Sequence, residues 1–341
     1  MRKIRIGDRL IGGGEPTFIV AEAGINHNGS IENAKELIES AARCGADAVK
    51  FQTHIPEKEM LRQDVTADYV GEPLFDLLKR VELSREDHVV LKEYAEEKNL
   101  IFYSTPFCVE AVDLLEEIDV PAYKVGSGEI ANPPLLERIA KIGKPVILST
   151  GMSNLEEVEE AIGIVTQYNQ QLVILQCTST YPSSYEDIHL NAMDTLRKFG
   201  FPVGLSDHSQ GIYVALAAVA LGACYIEKHF TIDKNWPGPD QKASIEPKEL
   251  RELVRGVRAI EKAMGAFEKQ VQDREKPVRG MARESVVSVE EIPKGSIITK
   301  DMVWVKRPGT GIPAKRMGEV IGRRTRRTVG KDQLISWGDL E

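Results

Sequence analysis

Residues 202–229 of this chain read PVGLSDHSQGIYVALAAVALGACYIEKH, and they contain one complete strand–helix–strand repeat. The β-rich runs at 202–206 and 223–228 enclose a helical stretch, which is the pattern of parallel strands joined by a helical crossover. Each run ends in polar or charged residues, and His208 and His229 stand at these two ends. The stretch therefore predicts two neighbouring parallel strands that bring two histidines close together.

The same repeat occurs along most of the chain. Eight short β-rich runs are each followed by a helical stretch: 18–22, 47–51, 101–105, 122–126, 146–150, 172–176, 202–206 and 223–228. Helix start signals include Ser30, Ser153 with Glu156 three residues later, and Pro247 before the last helix. Eight strand–helix units predict an α/β fold, a closed (β/α)8 TIM barrel, and a doubly wound open sheet is the alternative.

The pattern changes after residue 264. Residues 265–284 are polar and mixed in charge without a clear apolar period, so we predict a linker there. From Ser285 onward, short β-rich runs alternate with Gly and Pro, which indicates a small, mostly β domain over 285–341. The sequence thus predicts a catalytic barrel over 1–264, a linker, and a small domain whose limited core needs packing against another domain or subunit.

The bulk composition narrows the class of protein. The 341 residues are 28% charged and 42% hydrophobic, as in an ordinary globular protein with a sizeable core. The formal net charge of −8 argues against a nucleic-acid partner. No apolar signal region or membrane-length apolar run is visible, so we expect a cytoplasmic protein with no membrane partner. The four cysteines lack CxxC spacing, and we expect Cys177 to be a buried structural thiol.

Polar side chains stand at the carboxyl ends of the predicted strands, where a barrel builds its active site. Lys50 and Lys124 lie within otherwise apolar runs, which favours inward-facing ammonium groups over solvated lysine heads. With Thr105 and the strand-end serines, they would hold a phosphate and a carboxylate. Glu22 is a candidate acid or base, with a structural partner role as the alternative. We therefore predict a pocket for a phosphorylated acid.

His208 and His229 are candidate metal ligands, because adjacent strands would bring them within reach of one divalent ion. Two protein nitrogens leave the rest of the coordination shell to water or substrate oxygen. Such an open site suits Mn²⁺ or Mg²⁺ better than structural zinc. We expect the bound ion to be Mn²⁺, with Mg²⁺ as the alternative. Satisfied structural histidines are the alternative.

Taken together, the strand-end motifs closely resemble the sialic acid (N-acetylneuraminate) synthase family. The segments that carry the resemblance are AEAGINHNGS (21–30), VKFQTH (49–54), YSTPF (103–107), YKVGSGE (123–129), ILSTGM (147–152), CTSTYP (177–182), GLSDH (204–208), EKHFT (227–231), PGPD (237–240) and VKRPGTG (305–311). The resemblance implies a barrel followed by an antifreeze-like (SAF) domain, and a homodimer in which each small domain reaches over the partner's barrel mouth. It also implies an enzyme that condenses phosphoenolpyruvate with N-acetylmannosamine and water to give N-acetylneuraminate and phosphate.

The resemblance further implies roles for individual residues of this chain. Phosphoenolpyruvate contacts would be Lys50, Thr105, Lys124, Ser127, Ser149, Ser179 and Ser206. Sugar contacts would be Gln52, Tyr181, Asp240 and Arg307, the last of them in trans. The catalytic set would be Glu22 and Glu129, which handle protons, and His208 and His229, which hold a metal that polarises the sugar aldehyde.

Two departures from the family pattern concern the sugar. Ser179 stands where some relatives have Asn, and the segment 63–73 (QDVTADYVGEP), where relatives place a sugar contact, has no obvious equivalent. The first alternative is therefore a legionaminic or pseudaminic acid synthase that uses a 2,4-diacetamido-2,4,6-trideoxyhexose. The others are another phosphoenolpyruvate-dependent barrel synthase, which would lack the VKRPGTG module, and a non-catalytic sugar-binding protein.

Overall fold

The computed structural model describes residues 2–63 and 72–341. The chain divides into two units, Met1–Gly265 and Ala266–Glu341. Positions 64–71 lie outside the described residues, so the prediction made for the segment 63–73 stays a prediction.

An antiparallel hairpin precedes the barrel and consists of β1 (Ile4–Ile6) and β2 (Arg9–Ile11). Its residues Ile6 and Ile11 are fully buried and belong to the barrel core. Gly12 lies against Pro202, just before a barrel strand begins, so the hairpin packs at the amino ends of the strands. Sequence analysis missed it because three-residue strands give too little alternation to detect.

Eight parallel strands of the first unit form a closed barrel. They are β3 (Phe18–Gly24), β4 (Ala48–Thr53), β5 (Ile101–Pro106), β6 (Tyr123–Val125), β7 (Val146–Ser149), β8 (Leu172–Cys177), β9 (Val203–Asp207) and β10 (Tyr225–His229). The strands follow one another around the ring in chain order, and β10 closes it by pairing with β3, His229 beside Glu22. The predicted TIM barrel is therefore confirmed, and the open sheet is wrong. Every predicted run agrees with its strand to within two residues at either end.

Helices accompany these strands in the described part of the unit. They are α1 (Ile31–Cys44), α2 (Pro56–Glu59), α3 (Leu74–Val81), α4 (Arg85–Glu97), α5 (Val109–Glu117), α6 (Pro133–Ile142), α7 (Leu155–Thr166), α8 (Ala192–Leu196), α9 (Tyr213–Ala220) and α10 (Pro247–Met264). The predicted cap at Ser30 is confirmed, since its Oγ accepts from the Asn33 amide at 3.2 Å. None of the helices in residues 2–63 and 72–341 is long and apolar enough to cross a membrane.

The start of α7 corrects one sequence prediction. We expected a capping box of Ser153 and Glu156, but the box lies one residue later. Asn154 Oδ1 accepts from the Glu157 amide at 3.0 Å, and Glu157 Oε2 accepts from the Asn154 amide at 2.8 Å. Asn and Ser cap helices about equally well, so the two candidate boxes could not be separated by residue type alone.

Alternate residues of β10 serve different purposes. Tyr225, Glu227 and His229 share one face of the strand, and the Tyr225 hydroxyl donates to Glu227 at 3.1 Å inside the barrel. Lys228 lies on the other face and forms a fully buried ion pair with Asp207 of β9 at 2.9 Å. The last two strands are thus joined by charges on their outer face while their inner face supplies the cavity.

The second unit, taken by itself, contains α11 (Lys276–Ala282), the antiparallel strands β11 (Ser285–Ser288) and β12 (Val303–Lys306), and α12 (Met317–Val320). Its buried core is Val286, Ile292, Ile298, Val303, Ile312, Val320, Val329, Ile335 and Leu340. The predicted small, mostly β domain is therefore confirmed. The segment that we predicted to be a linker, 265–284, contains the short helix α11.

Candidate active site

A cavity of about 440 Å³ is bounded by the carboxyl ends of the barrel strands. It is lined by every barrel residue that the sequence predicts to be catalytic or to bind substrate or metal: Glu22, Lys50, Gln52, Thr105, Lys124, Ser127, Glu129, Ser149, Ser179, Tyr181, Ser206, His208, His229 and Asp240. The remaining candidate, Arg307, is exposed in the second unit. Strand topology therefore brings the barrel candidates together, as expected for this mouth of a TIM barrel.

Lys50 forms the first half of a buried cationic centre. Its ammonium group is 2.6 Å from Glu22 Oε2 and donates to Thr105 Oγ1 at 2.9 Å, and only 2% of the residue is exposed. The alternative of a solvated lysine head is thereby excluded. Glu22 reaches Lys50 beside a register shift at Gly24, whose φ of 50° lies in the left-handed region that favours glycine.

Lys124 forms the second half, together with a carboxylate that the sequence analysis did not select. The Lys124 ammonium group donates to Ser149 Oγ at 3.1 Å and lies 3.4 Å from Glu227 Oε1. Glu227 also accepts from Ser206 at 3.1 Å and lies 3.8 Å from Lys50. The signal that could have found Glu227 is its position two residues before His229, which puts both side chains on one face of β10.

The carboxyl groups of the cavity differ in charge state. Burial raises the pKa of Glu22 to about 7 against the opposing effect of Lys50, and burial raises the pKa of Glu129 to about 7 as well. Burial also acts on Glu227, but Lys124 and Lys50 outweigh it and lower the pKa of Glu227 to about 2. The two ammonium groups therefore face one permanent carboxylate and two that hold a proton near neutrality. When those two carboxyl groups hold their protons, the ammonium groups are left with net positive charge for an anion.

A group of small polar side chains surrounds Gly151, just after β7. Ser127 Oγ accepts from the Gly151 amide at 3.1 Å, and Cys177 Sγ lies 3.5 Å from Ser127 and 3.7 Å from Ser179. A Cβ atom at Gly151 would stand 2.2 Å from Ser179 Oγ and 2.7 Å from Ser127 Oγ. The glycine is therefore required for the two hydroxyls to converge. Cys177 is buried, as expected.

The two histidines, His208 and His229, line another part of the cavity. Their ring centroids are 5.3 Å apart, and Tyr181 stacks on His208 at 4.2 Å. His208 Nδ1 lies 2.8 Å from the carbonyl oxygen of Thr178, a contact that fixes the orientation of the ring. His229 Nδ1 is buried and has no hydrogen-bond partner among the described residues. Burial, reinforced by His208 and Lys50, lowers the pKa of His229 well below its usual range, so this ring is neutral.

These features fit a divalent ion held by few protein atoms. An orphaned, neutral ring nitrogen in a buried site is the chemistry of a metal ligand. Asp240 Oδ2 is 3.7 Å from His229 Nδ1, and no group of three or more His, Cys, Asp or Glu side chains in residues 2–63 and 72–341 is arranged to hold an ion. The donor set therefore suits an open site completed by water or substrate oxygen.

One wall of the cavity is apolar. Ile25 packs with Leu77 and Leu78 of α3 in a small hydrophobic cluster of its own. The cavity is lined on this side by Ile25, Met60, Leu74, Leu77 and Leu78. The site thus combines the two buried lysines Lys50 and Lys124, which we call the cationic floor, with two histidines and a wall of apolar side chains.

Comparison with known proteins shows the family to which this chain belongs. The NeuB family matches residues 37–269, and the SAF domain matches residues 283–341. The N,N'-diacetyllegionaminic acid synthase of Campylobacter jejuni is 43% identical over 94% of this chain and 98% of its own length. The human N-acetylneuraminate-9-phosphate synthase is 38% identical over 96% of this chain and 93% of its own.

A solved structure agrees with these sequence matches. The N-acetylneuraminic acid (sialic acid) synthetase of Leptospira borgpetersenii, crystallised with citrate, superimposes with a TM-score of 0.76 at 38% identity. The match covers 81% of this chain and 95% of that one. The chain therefore belongs to the NeuB family, with a SAF domain as its C-terminal part, and is an enzyme of the class that contains these nonulosonic acid synthases.

Proposed function

We propose that this enzyme condenses phosphoenolpyruvate with an N-acylated amino sugar and water, giving a nine-carbon sugar acid and phosphate. The observation that carries the proposal is the pairing of two buried lysines, Lys50 and Lys124, with two neighbouring histidines in one cavity. The lysines suit a small molecule that bears both a phosphate and a carboxylate. The histidines suit an ion that binds an aldehyde oxygen.

The cationic floor would bind phosphoenolpyruvate. Lys50 and Lys124 supply charge, while hydroxyl groups around them supply directed hydrogen bonds. The proposed contacts are Lys50, Thr105, Lys124, Ser127, Ser149, Ser179 and Ser206, all of which line the cavity. The same lysines would hold the phosphate as it departs, because its charge grows when the carbon–oxygen bond breaks.

His208 and His229 would hold a divalent ion, with Mn²⁺ preferred over Mg²⁺, and when bound this ion would polarise the aldehyde of the open-chain sugar. Carbon 3 of phosphoenolpyruvate then attacks that aldehyde, water adds at carbon 2, and phosphate leaves by C–O cleavage. Glu22 and Glu129, whose pKa values are raised to about 7, can both accept and donate a proton near neutrality. We therefore propose that they move the protons of the aldehyde oxygen and of the attacking water.

The sugar has two candidates. N-acetylmannosamine, which would make the enzyme an N-acetylneuraminate synthase, is the prediction from sequence, and its proposed contacts are Gln52, Tyr181, Asp240 and Arg307. The apolar wall formed by Ile25 and its neighbours favours the second candidate, a 2,4-diacetamido-2,4,6-trideoxyhexose. That sugar has a methyl group at carbon 6 where N-acetylmannosamine has a hydroxymethyl group, and a hydroxyl against an apolar wall loses its hydrogen bonds.

The proposal extends to assembly and location. The small core of the second unit and the exposure of Arg307 support a homodimer in which Arg307 contacts the sugar bound by the partner's barrel. Phosphoenolpyruvate is a metabolite of the cell interior, so the proposed reaction belongs to the cytoplasm.

The test is phosphate release from phosphoenolpyruvate in the presence of Mn²⁺, with each sugar in turn and with the products identified by mass. Faster turnover of N-acetylmannosamine assigns an N-acetylneuraminate synthase. Faster turnover of the trideoxy sugar, in its manno or its altro form, assigns a legionaminic or a pseudaminic acid synthase. Absence of turnover with all of them refutes the proposal.

A further inference from the structure

Glu59, at the end of α2, carries a buried carboxylate that the proposed mechanism does not use. Its side chain is only 6% exposed, and it lines the same cavity as the predicted site residues. Glu59 Oε1 lies 2.9 Å from Nδ1 of His54. Its second oxygen, Oε2, is buried without a hydrogen-bond partner in the part of the chain that the structure describes.

His54 is held firmly between this carboxylate and a predicted sugar contact. Its ring stacks on Phe107 with centroids 4.1 Å apart and planes inclined by 16°. Its Nε2 lies 3.2 Å from Oε1 of Gln52, and Gln52 Nε2 donates in turn to Glu22 at 3.4 Å. Both ring nitrogens face side-chain oxygens, so contacts on either side hold the His54 ring in place next to Glu59.

A structural ion pair alone does not explain the second oxygen of Glu59. A buried acceptor without a partner costs about 1–3 kcal/mol, so most buried acceptors are satisfied. Glu129, which also lines this cavity, has a buried oxygen without a hydrogen-bond partner among the described residues. A buried acceptor of this kind in the lining of a cavity, such as Glu59 Oε2, calls for a ligand that brings a hydrogen-bond donor.

The donors distinguish the two substrates. An N-acylated amino sugar has hydroxyl and amide N–H groups, whereas phosphoenolpyruvate offers oxygen acceptors and negative charge. A carboxylate such as Glu59 attracts the first and repels the second. We infer that Glu59 Oε2 accepts a hydrogen bond from a hydroxyl or amide N–H of the sugar, and that His54 is the residue that positions it. This inference rests on the proposed function and adds a recognition residue to it.

The test compares Glu59→Gln with Glu57→Gln in the full-length enzyme. Glu57 lies on the same short helix, is half exposed and pairs with Lys79 instead of lining the cavity, so it is a matched control. Loss of a charge-assisted hydrogen bond should raise the KM for the sugar about 10- to 100-fold in Glu59→Gln. The KM for phosphoenolpyruvate should stay within about twofold, because that substrate has no donor for Glu59. Glu57→Gln should change neither constant.

A second variant tests the role of His54. His54→Gln should raise the KM for the sugar and leave the KM for phosphoenolpyruvate unchanged, because it releases Glu59 and Gln52 without touching the lysines. If Glu59→Gln fails to fold, Glu59→Asp keeps the charge, withdraws the oxygen by about one methylene and should raise the same constant.

Two results would overturn the inference while leaving the proposed function intact. One is an unchanged KM for the sugar in the Glu59 variants. The other is an equal rise in both KM values, which would indicate a structural ion pair only. Failure of the wild-type enzyme to turn over any of the sugars with phosphoenolpyruvate is a different result, and it counts against the proposed function.

Discussion

Replacing Gly151 by Ala tests how closely the phosphoenolpyruvate subsite is packed. The new methyl group would stand 2.2 Å from Ser179 Oγ, 2.7 Å from Ser127 Oγ and 3.1 Å from Cys177 Sγ. Ordinary contact begins near 3.4 Å, so the Ser179 hydroxyl must move by about 1 Å. The backbone at Gly151 does not have a positive φ, so the cost falls on these neighbours.

The size of the effect follows from what the two serines are proposed to bind. A hydrogen bond to a charged group contributes about 1.5–3 kcal/mol, which corresponds to roughly 10- to 150-fold in affinity for each hydroxyl that is displaced. Overpacking itself costs about 1–3 kcal/mol of folding free energy. We therefore expect a rise of at least about tenfold in the KM for phosphoenolpyruvate and a lower melting temperature, with the enzyme still folded.

The assay is phosphate release with phosphoenolpyruvate varied at saturating sugar and then the reverse, together with thermal unfolding. Gly163→Ala is the control, because Gly163 lies on α7 of the same strand–helix unit and a Cβ there meets nothing within 4 Å. The reasoning is refuted if Gly151→Ala folds and binds phosphoenolpyruvate as tightly as the wild type. A rise in the KM for the sugar alone would show that the serines serve the other substrate.

Three further predictions concern charge, metal and the small domain. Because Glu129 keeps its proton to about pH 7 in the folded protein but loses it near pH 4.5 when unfolded, its contribution to stability is lost as pH rises through this window. Glu129→Gln should therefore flatten the pH dependence of the unfolding free energy by up to about 3 kcal/mol, measured by urea denaturation at about pH 4.5 and pH 8, and an unchanged slope would contradict this. Chelation with EDTA should abolish turnover and added Mn²⁺ should restore it, whereas full activity in excess EDTA would exclude the metal. Arg307→Ala should impair use of the sugar far more than binding of phosphoenolpyruvate, and an unaltered KM for the sugar would remove Arg307 from the site.

The barrel was predictable because its signal repeats. Eight runs of the same kind, each with polar residues at its carboxyl end, reinforce one another, and a closed barrel then fixes where all those ends meet. That is why the sequence alone predicts one cavity for Lys50 and Lys124, which are seventy-four positions apart in the chain.

Other features could not be predicted from sequence, because they depend on contacts between residues from different segments of the chain. Glu227 looked like an ordinary charged residue until the face of β10 that it shares with His229 was known. Glu59 sits in a four-residue helix, too short to show any period, and the role inferred for it depends on its contact with His54, which in turn contacts Gln52. The capping box of α7 lies one residue later than predicted, because Asn154 and Ser153 are equally good helix caps and the sequence does not distinguish them.

The closure of the barrel affects when the site can form during synthesis of the chain. Glu22, on the first barrel strand, and His229, on the last, are direct neighbours across the join between β3 and β10. On the ribosome, Glu22 emerges more than two hundred residues before the strand it must pair with, since domains are synthesised from the amino terminus. A nascent or truncated chain that lacks β10 has neither this join nor the second histidine. In the proposed mechanism, a chain without β10 therefore cannot hold the metal ion with both histidines.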